Sequence, residues 1–397
     1  MLEPAIPPHL QRPRTCPARL PHDAFEPPNA AYCARFPESI TDLVMATICA
    51  QARSPAAGLS RAADVLAPVI AFLKHADGKE GSGDSNGEEG TLRPSAFDLI
   101  SFRDAAGHHN VGVIAYWPGG RARFEEWAEA SGFEAWWRGL DTSSAPPSPS
   151  SPLSSSLSAA SSSEGKGKEN DVGWFREVFF PTLDRYETVF SNQEAGEEGA
   201  ARMRAGMSGP VREHVYWGSM RDRMPASQVD GLEGEKARTA VEGTTERHNS
   251  RVVVPGKKNL CVIRSGQDWS AMLPAERKLY LETIHPVLVK GMDFLRDEGR
   301  SIGCHSCRFV DELDLGDERK ETERTFGFAF FEDMESLEKW SKSHRTHLDI
   351  FGRFLQYVKE LDGNISLRLF HEVLVLKPEQ QLLEYVGCHP KTGLMGV

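Results

Sequence analysis

Between Trp340 and Pro378 the spacing of apolar residues changes period once. His347, Phe351, Phe354, Leu355 and Val358 recur at three- and four-residue steps, which puts them on one face of a helix. Asp362-Gly363-Asn364 is a turn signal, and beyond it the pattern alternates with period two. Leu367, Leu369, His371, Val373 and Val375 then point one way, and Arg368, Phe370 and Glu372 the other. One histidine heads an apolar helix face, and another sits in the middle of an apolar strand face. Two imidazoles aimed into apolar surroundings from adjacent elements can frame a haem or metal site. Each alone also reads as a hydrogen-bonded core histidine.

The same periodicities organise the rest of the chain. Residues 1–40, rich in Pro and Arg, read as an extended arm over the surface. Residues 41–50, 97–102, 111–117 and 175–181 read as strands, and 58–74 and 122–137 as helical stretches, the first with Pro68 inside it. The acidic, glycine-rich run 75–92 reads as a flexible insert and the serine-rich run 142–170 as a disordered one. A connecting segment, 182–257, follows. Strands then recur at 259–265, 308–315 and 325–331. A helix over 270–298 has Leu281, Ile284, Leu288 and Leu295 on one side, and a helix from 334 continues into the one bearing His347.

The second half repeats the first. Pro68-Val69-Ile70 matches Pro286-Val287-Leu288, Phe124-Glu125-Glu126-Trp127 matches Leu337-Glu338-Lys339-Trp340, and Phe175-Arg176-Glu177-Val178 matches Phe370-His371-Glu372-Val373. The offset shrinks across the two inserts of the first half. This order predicts an α+β fold of tandem ferredoxin-like βαββαβ units, 41–181 and 258–397. Trp127 then corresponds to Trp340, Glu134 to His347 and Arg176 to His371. Only the second unit has the histidine pair, so one site per chain is expected there. Arg176 can face the same interior or pair with a carboxylate.

Composition narrows the function classes. The formal charge of −11 and the lack of a basic block argue against nucleic acid as a partner. No apolar run approaches the roughly 20 residues of a membrane span, and the first residues lack the apolar centre of a signal peptide. Seven scattered cysteines do not make a disulfide framework, which points to a reducing, cytoplasmic setting. Cys304-His305-Ser306-Cys307 has neither a second ligand pair at zinc spacing nor the His that follows a haem-attaching Cys pair, so its thiols read as packing groups. His344 and His347 have the spacing of a helical metal pair, but no third ligand completes it. Ser219, in Tyr216-Trp217-Gly218-Ser219, either enters a pocket or bonds its own backbone. No nucleophile elbow surrounds it.

Several motifs in order resemble one family: Tyr216–Arg223 (YWGSMRDR), Arg264–Trp269 (RSGQDW), Gly291–Asp297 (GMDFLRD), Gly303–Phe309, the Ser343–His347 and Leu369–Val373 histidine pair, and Cys388–Gly393 (CHPKTG). Together they resemble the haem-containing aldoxime dehydratases from about residue 8 to the C-terminus. The resemblance implies a homodimeric haem b lyase with a fold like the dimeric α+β barrel haem proteins. It implies dehydration of an aldoxime to a nitrile on ferrous iron. It also implies His347 as the axial iron ligand, His371 as the distal acid–base residue, and Ser219 and Arg176 completing the distal pocket. A haem-binding sensor or carrier, or a peroxidase-like enzyme of the same fold, is the alternative.

Overall fold

In the computed structural model every residue is described except 21–26, 28, 58, 60–61, 76–90, 141–171, 195–196, 216–218, 237–245, 249, 315 and 317–320. The two low-complexity inserts thus lie almost wholly outside the described residues, as do Tyr216, Trp217 and Gly218. The described strands of the main sheet are β1 Leu43–Ala52, β2 Ala96–Arg103, β3 His109–Pro118, β4 Val172–Phe179, β5 Tyr186–Phe190, β6 Glu246–His248, β7 Arg251–Val254, β8 Leu260–Asp268, β9 Cys304–Leu313, β10 Glu321–Phe331, β11 Arg368–Leu376 and β12 Gln381–Val386. The helices are α1 Ala62–Lys74, α2 Arg121–Ala130, α3 Phe133–Gly139, α4 Met220–Arg223, α5 Pro274–Leu279, α6 His285–Asp297, α7 Met334–Ser343 and α8 Arg345–Glu360.

All pairings in the sheet are antiparallel, in the order β5-β11-β8-β10-β9-β2-β3-β1-β4-β12-β7-β6. Each half has its own four consecutive strands in the spatial order fourth, first, third, second, and the two second strands meet where Asp311 faces Ser101. The strand that follows each half pairs with the other half. β5, after the first half, pairs with β11, and β12, after the second, pairs with β4. The sheet therefore curls on itself.

The inner face of this curl is one apolar core fed by both halves, including Met45, Ile114, Phe175, Val262, Phe328, Leu374 and Leu383. Charges inside it are paired. Arg308 donates to both oxygens of Glu177 at 2.7 and 2.6 Å. Arg264 donates to Glu312 at 2.7 Å and to the Tyr116 hydroxyl at 2.9 Å. The outer face carries helices, with α1–α3 over the first half and α6 and α7 over the second.

The helices follow the sequence patterns with three differences. Gly132, at φ 83°, breaks the 122–137 stretch into α2 and α3. The 270–298 stretch is interrupted by a π-helical turn, Tyr280–Ile284. The run through His344 is two helices, because His344 is extended and its imidazole caps α8 by accepting from the Thr346 amide.

Removing Arg308 would leave the Glu177 carboxylate buried without its cation. Arg308→Met should lower the unfolding free energy by about 3–5 kcal/mol, and adding Glu177→Gln should recover most of the loss. Urea denaturation of both variants measures this, and a single variant within about 1 kcal/mol of the parent would show that the pair does not hold the halves together.

Candidate functional site

Residues directly opposite across antiparallel strands share a face. On the helix side of the second half one such row runs Val189, His371, Ser265, Gly327, Phe309. The equivalent row of the first half runs Glu384, Arg176, Ile48, Val113, Leu99. Where the first half has Ile48 and Val113, the second has Ser265 and Gly327. The smaller floor leaves space beneath α8, a cavity of about 490 Å³. Its wall includes Met292, Trp340, Ile350, Phe351, Phe354 and Leu369. A Cβ on Gly327 would come within 2.5 Å of the Met292 sulfur.

His347 lines this cavity from the first turn of α8 and His371 from the sheet. The predicted helix face holds for His347, Phe351, Phe354 and Val358. Leu355 instead lies outside at 48% exposure, since at about 100° per residue it stands about 80° from His347. The His347 ring packs edge-on against Trp340 at 4.9 Å. Burial holds its pKa down at about 4, with the Ser341 backbone opposing. The ring is thus neutral near pH 7, the form that binds a metal. Its Nδ1 is buried and has no hydrogen-bond partner among the described residues.

His371 belongs to a charged set that the sequence reading did not contain. Its Nε2 lies 2.8 Å from Glu187 Oε1 and 2.9 Å from an Arg223 terminal nitrogen. Arg223 Nε donates to Glu187 Oε2 at 2.8 Å, and a second guanidinium nitrogen donates to the Glu213 carbonyl at 2.7 Å. Burial alone would raise the Glu187 carboxyl, yet Arg223 and His371 hold it below the ordinary carboxylate value. Glu187 arrives on the exchanged strand β5, opposite Val373 and so beside His371 on the same face. Ser265 stands directly across from His371, also lining the cavity. Its hydroxyl makes no hydrogen bond to a described residue.

Two of the four residues named from the sequence are not brought here. Arg176 lies on the helix side of the first half, bonded to Glu134 at 2.7 Å and Glu384 at 2.8 Å, with its guanidinium 4.8 Å from the Trp137 ring. In the second half the equivalents of Arg176 and Glu134, His371 and His347, both line the cavity. Ser219 has φ 53° and accepts from the Val215 amide at 3.1 Å, holding the loop before α4; it is not part of the cavity wall. Arg223 and Ser265 were within reach of the sequence, since both fall inside the motifs YWGSMRDR and RSGQDW. Glu187, one carboxylate in Tyr-Glu-Thr-Val-Phe, carries no such signal.

His344 stacks on Phe294 at 4.4 Å, and no metal-binding cluster of His, Cys, Asp and Glu occurs among the described residues. Burial raises the thiols of Cys304 and Cys307, the second to about 12, so they pack as neutral groups. A planar, largely apolar group with one imidazole ligand fits what the cavity offers: a neutral histidine, apolar walls and a floor relieved by Gly327. Haem matches that description.

Two outcomes test the geometry. Gly327→Leu should fill the floor and abolish haem uptake without unfolding the chain, read as loss of the Soret band on haem titration against an unchanged far-ultraviolet spectrum. The second concerns His214, in the cavity wall near Arg223 and His371, whose ring burial holds at about 4, those two charges adding to it and Glu187 opposing. The unfolded chain protonates it below about pH 6.5, whereas the folded one does so only near 4. Stability should therefore fall on acidification between those values and stop falling for this reason below them. His214→Gln should flatten that part of the Tm–pH curve; parallel curves for parent and variant would reject the assignment.

The model of the family described as haem-containing dehydratase matches residues 153–394. An aliphatic aldoxime dehydratase of Pseudomonas sp. is 34% identical over 99% of this chain and 98% of its own. The phenylacetaldoxime dehydratase of Bacillus sp. (strain OxB-1) is 29% identical over 92% of this chain and 90% of its own. A crystal structure of an aldoxime dehydratase in complex with butyraldoxime superposes with a TM-score of 0.78 at 32% identity, covering 100% of this chain and 96% of that one. With the neutral His347 facing an apolar cavity and a polar set around His371, these matches establish that the chain belongs to the haem-containing dehydratase family.

Proposed function

We propose that the chain is a haem-dependent lyase that dehydrates an aldoxime, R–CH=N–OH, to the nitrile R–C≡N and water. The observation that carries this reading is His371, backed by Glu187 and Arg223, in the wall of an apolar cavity that His347 also lines. His347 would hold the iron through its neutral imidazole. When bound, the haem supplies ferrous iron with an open position for the oxime nitrogen.

The residues around that position have separable tasks. Hydroxide is a poor leaving group, so the oxime oxygen must gain a proton as the N–O bond breaks. His371 gives that proton, and a base then takes the one on the aldoxime carbon; an imidazole can do both near neutral pH. Glu187 accepts from the Nε2 N–H of the ring, and Arg223, which donates to Glu187, holds that carboxylate in place and so fixes the ring's orientation. Arg223 thereby takes the role the resemblance gave to Arg176. The Ser265 hydroxyl, across the strand pair from His371, takes the role given to Ser219 and donates to the oxime oxygen. The apolar wall suits an alkyl or arylalkyl R group.

The reading extends to architecture. The matching strand order of the two halves supports a tandem ferredoxin-like duplication closed into a barrel like that of the dimeric α+β haem proteins. The first unit would be 41–181 and the second 258–397, joined by 182–257 and wrapped by the arm 1–40. A homodimer in the cytoplasm completes the reading, and seven free cysteines are in keeping with a reducing compartment. Among the described residues no helix is long and apolar enough to cross a membrane.

The deciding assay is nitrile formation from butyraldoxime and phenylacetaldoxime by the dithionite-reduced protein under anaerobic conditions, with a visible spectrum taken alongside. Nitrile from either substrate, only when reduced, is the expected result; a Soret band with no nitrile would reject the reading. His371→Ala should keep haem and lose about 10²–10⁴-fold in turnover, while His347→Ala should lose haem. Arg176→Gln should leave turnover near parental, and a loss comparable to that of His371→Ala would return Arg176 to the site.

A further inference from the structure

The four residues of α4 have four different destinations. Met220 lines the cavity. Asp222 accepts from the backbone amides of Arg19 and Leu20 at 2.8 and 3.1 Å, tying the N-terminal arm down. Arg223 reaches Glu187 and His371. Arg221 turns the other way, and its Nε donates to both carboxylate oxygens of Glu338 at 3.1 and 3.0 Å. A terminal nitrogen of Arg221 also donates to the Gly231 carbonyl at 2.7 Å.

Glu338 lies on α7, inside the stretch that supports His347. Its carbonyl accepts from the Ser341 hydroxyl at 3.1 Å, and Ser341 lines the cavity together with His347. Trp340, two residues on, packs against the His347 ring and donates its indole N–H to Thr346 at 3.0 Å. Both partners of the ion pair are largely buried, their side chains 7% and 14% exposed. Water therefore competes weakly, and the bidentate contact fixes direction as well as distance.

We propose that Arg221 and Glu338 are a positioning pair, which sets the place of the His347 support on α7 against the Arg223–Glu187–His371 set. This rests on the reading of His347 as the iron ligand and His371 as the proton donor. Neither Arg221 nor Glu338 lines the cavity. α4 is short, and no described β-strand ties it to the sheet, so side-chain contacts of this kind fix its place. A small displacement of Arg223 would turn His371, while one of α7 would turn His347.

The test uses the haem-loaded full chain with Glu338→Gln, and with a double variant, Arg221→Met/Glu338→Met, that replaces the pair by apolar side chains of similar length. Replacing a buried pair in this way often keeps or raises stability, so a folded protein without the directional contact is available. The expected result for both variants is a shifted iron–histidine stretching band in the resonance Raman spectrum of the ferrous protein. Turnover should fall about tenfold with KM little changed, and the pH profile should keep its shape. An unshifted band with parental kcat, whatever the change in Tm, would reduce the pair to a structural salt bridge and overturn the proposal. Failure of the underlying reading looks different: His347→Ala would then retain haem.

Discussion

The structure depends on two short connections that cross it. Phe179 ends β4 and Tyr186 begins β5, and these strands lie eight positions apart in the sheet. A flat sheet would separate them by about 38 Å, while the chain between can span at most about 25 Å. The link between β11 and β12 is shorter still and joins strands equally far apart. Both connections can be made only if the sheet curls until its ends approach. Curling creates the shared inner core, and there the paired charges Arg308–Glu177 and Arg264–Glu312 replace the hydration that burial removes.

The exchange of strands also builds the site. β5 directly follows the first half in sequence, yet it pairs with β11 of the second and presents Glu187 beside His371. The connecting segment supplies Arg223 and the strand β8 supplies Ser265. His371 and the polar residues near it thus come from four separated stretches, while His347 comes from α8. Such a site can be held rigidly because three of its members stand on strands of the sheet and the fourth is fixed by two carboxylate hydrogen bonds.

The two halves show how one framework can be open or closed. His371 and Arg176 occupy equivalent positions, as do His347 and Glu134. In the first half, opposite charges at these positions meet at 2.7 Å, and Phe133, Trp127 and Trp137 fill the space around them. In the second half, Ser265 and Gly327 leave the floor low and the two imidazoles line a cavity between them. The difference between a packed core and a ligand site comes down to a few side chains on an otherwise repeated framework.

The sequence by itself did not determine the strands β5 and β12 that exchange, but it did determine the order of the four strands in each half with the helices between them, and the inward aim of His347 and His371. Each of these is carried by local periodicity, and periodicity survives in one dimension. It also carried the family, through motifs that contain Arg223 and Ser265. The tertiary structure decided which polar residues meet, because that depends on strand register and on the exchange of β5 and β12. Neither leaves a trace in local spacing. Glu187 and Arg223 are 36 positions apart and have no shared pattern. Arg176 pairs with Glu134 of its own half and Glu384 of the exchanged strand β12, and the Ser219 hydroxyl accepts from the Val215 amide, contacts that local spacing does not announce. The break at His344 was likewise invisible to periodicity, since a capping histidine and a helical one have the same spacing until the backbone is seen.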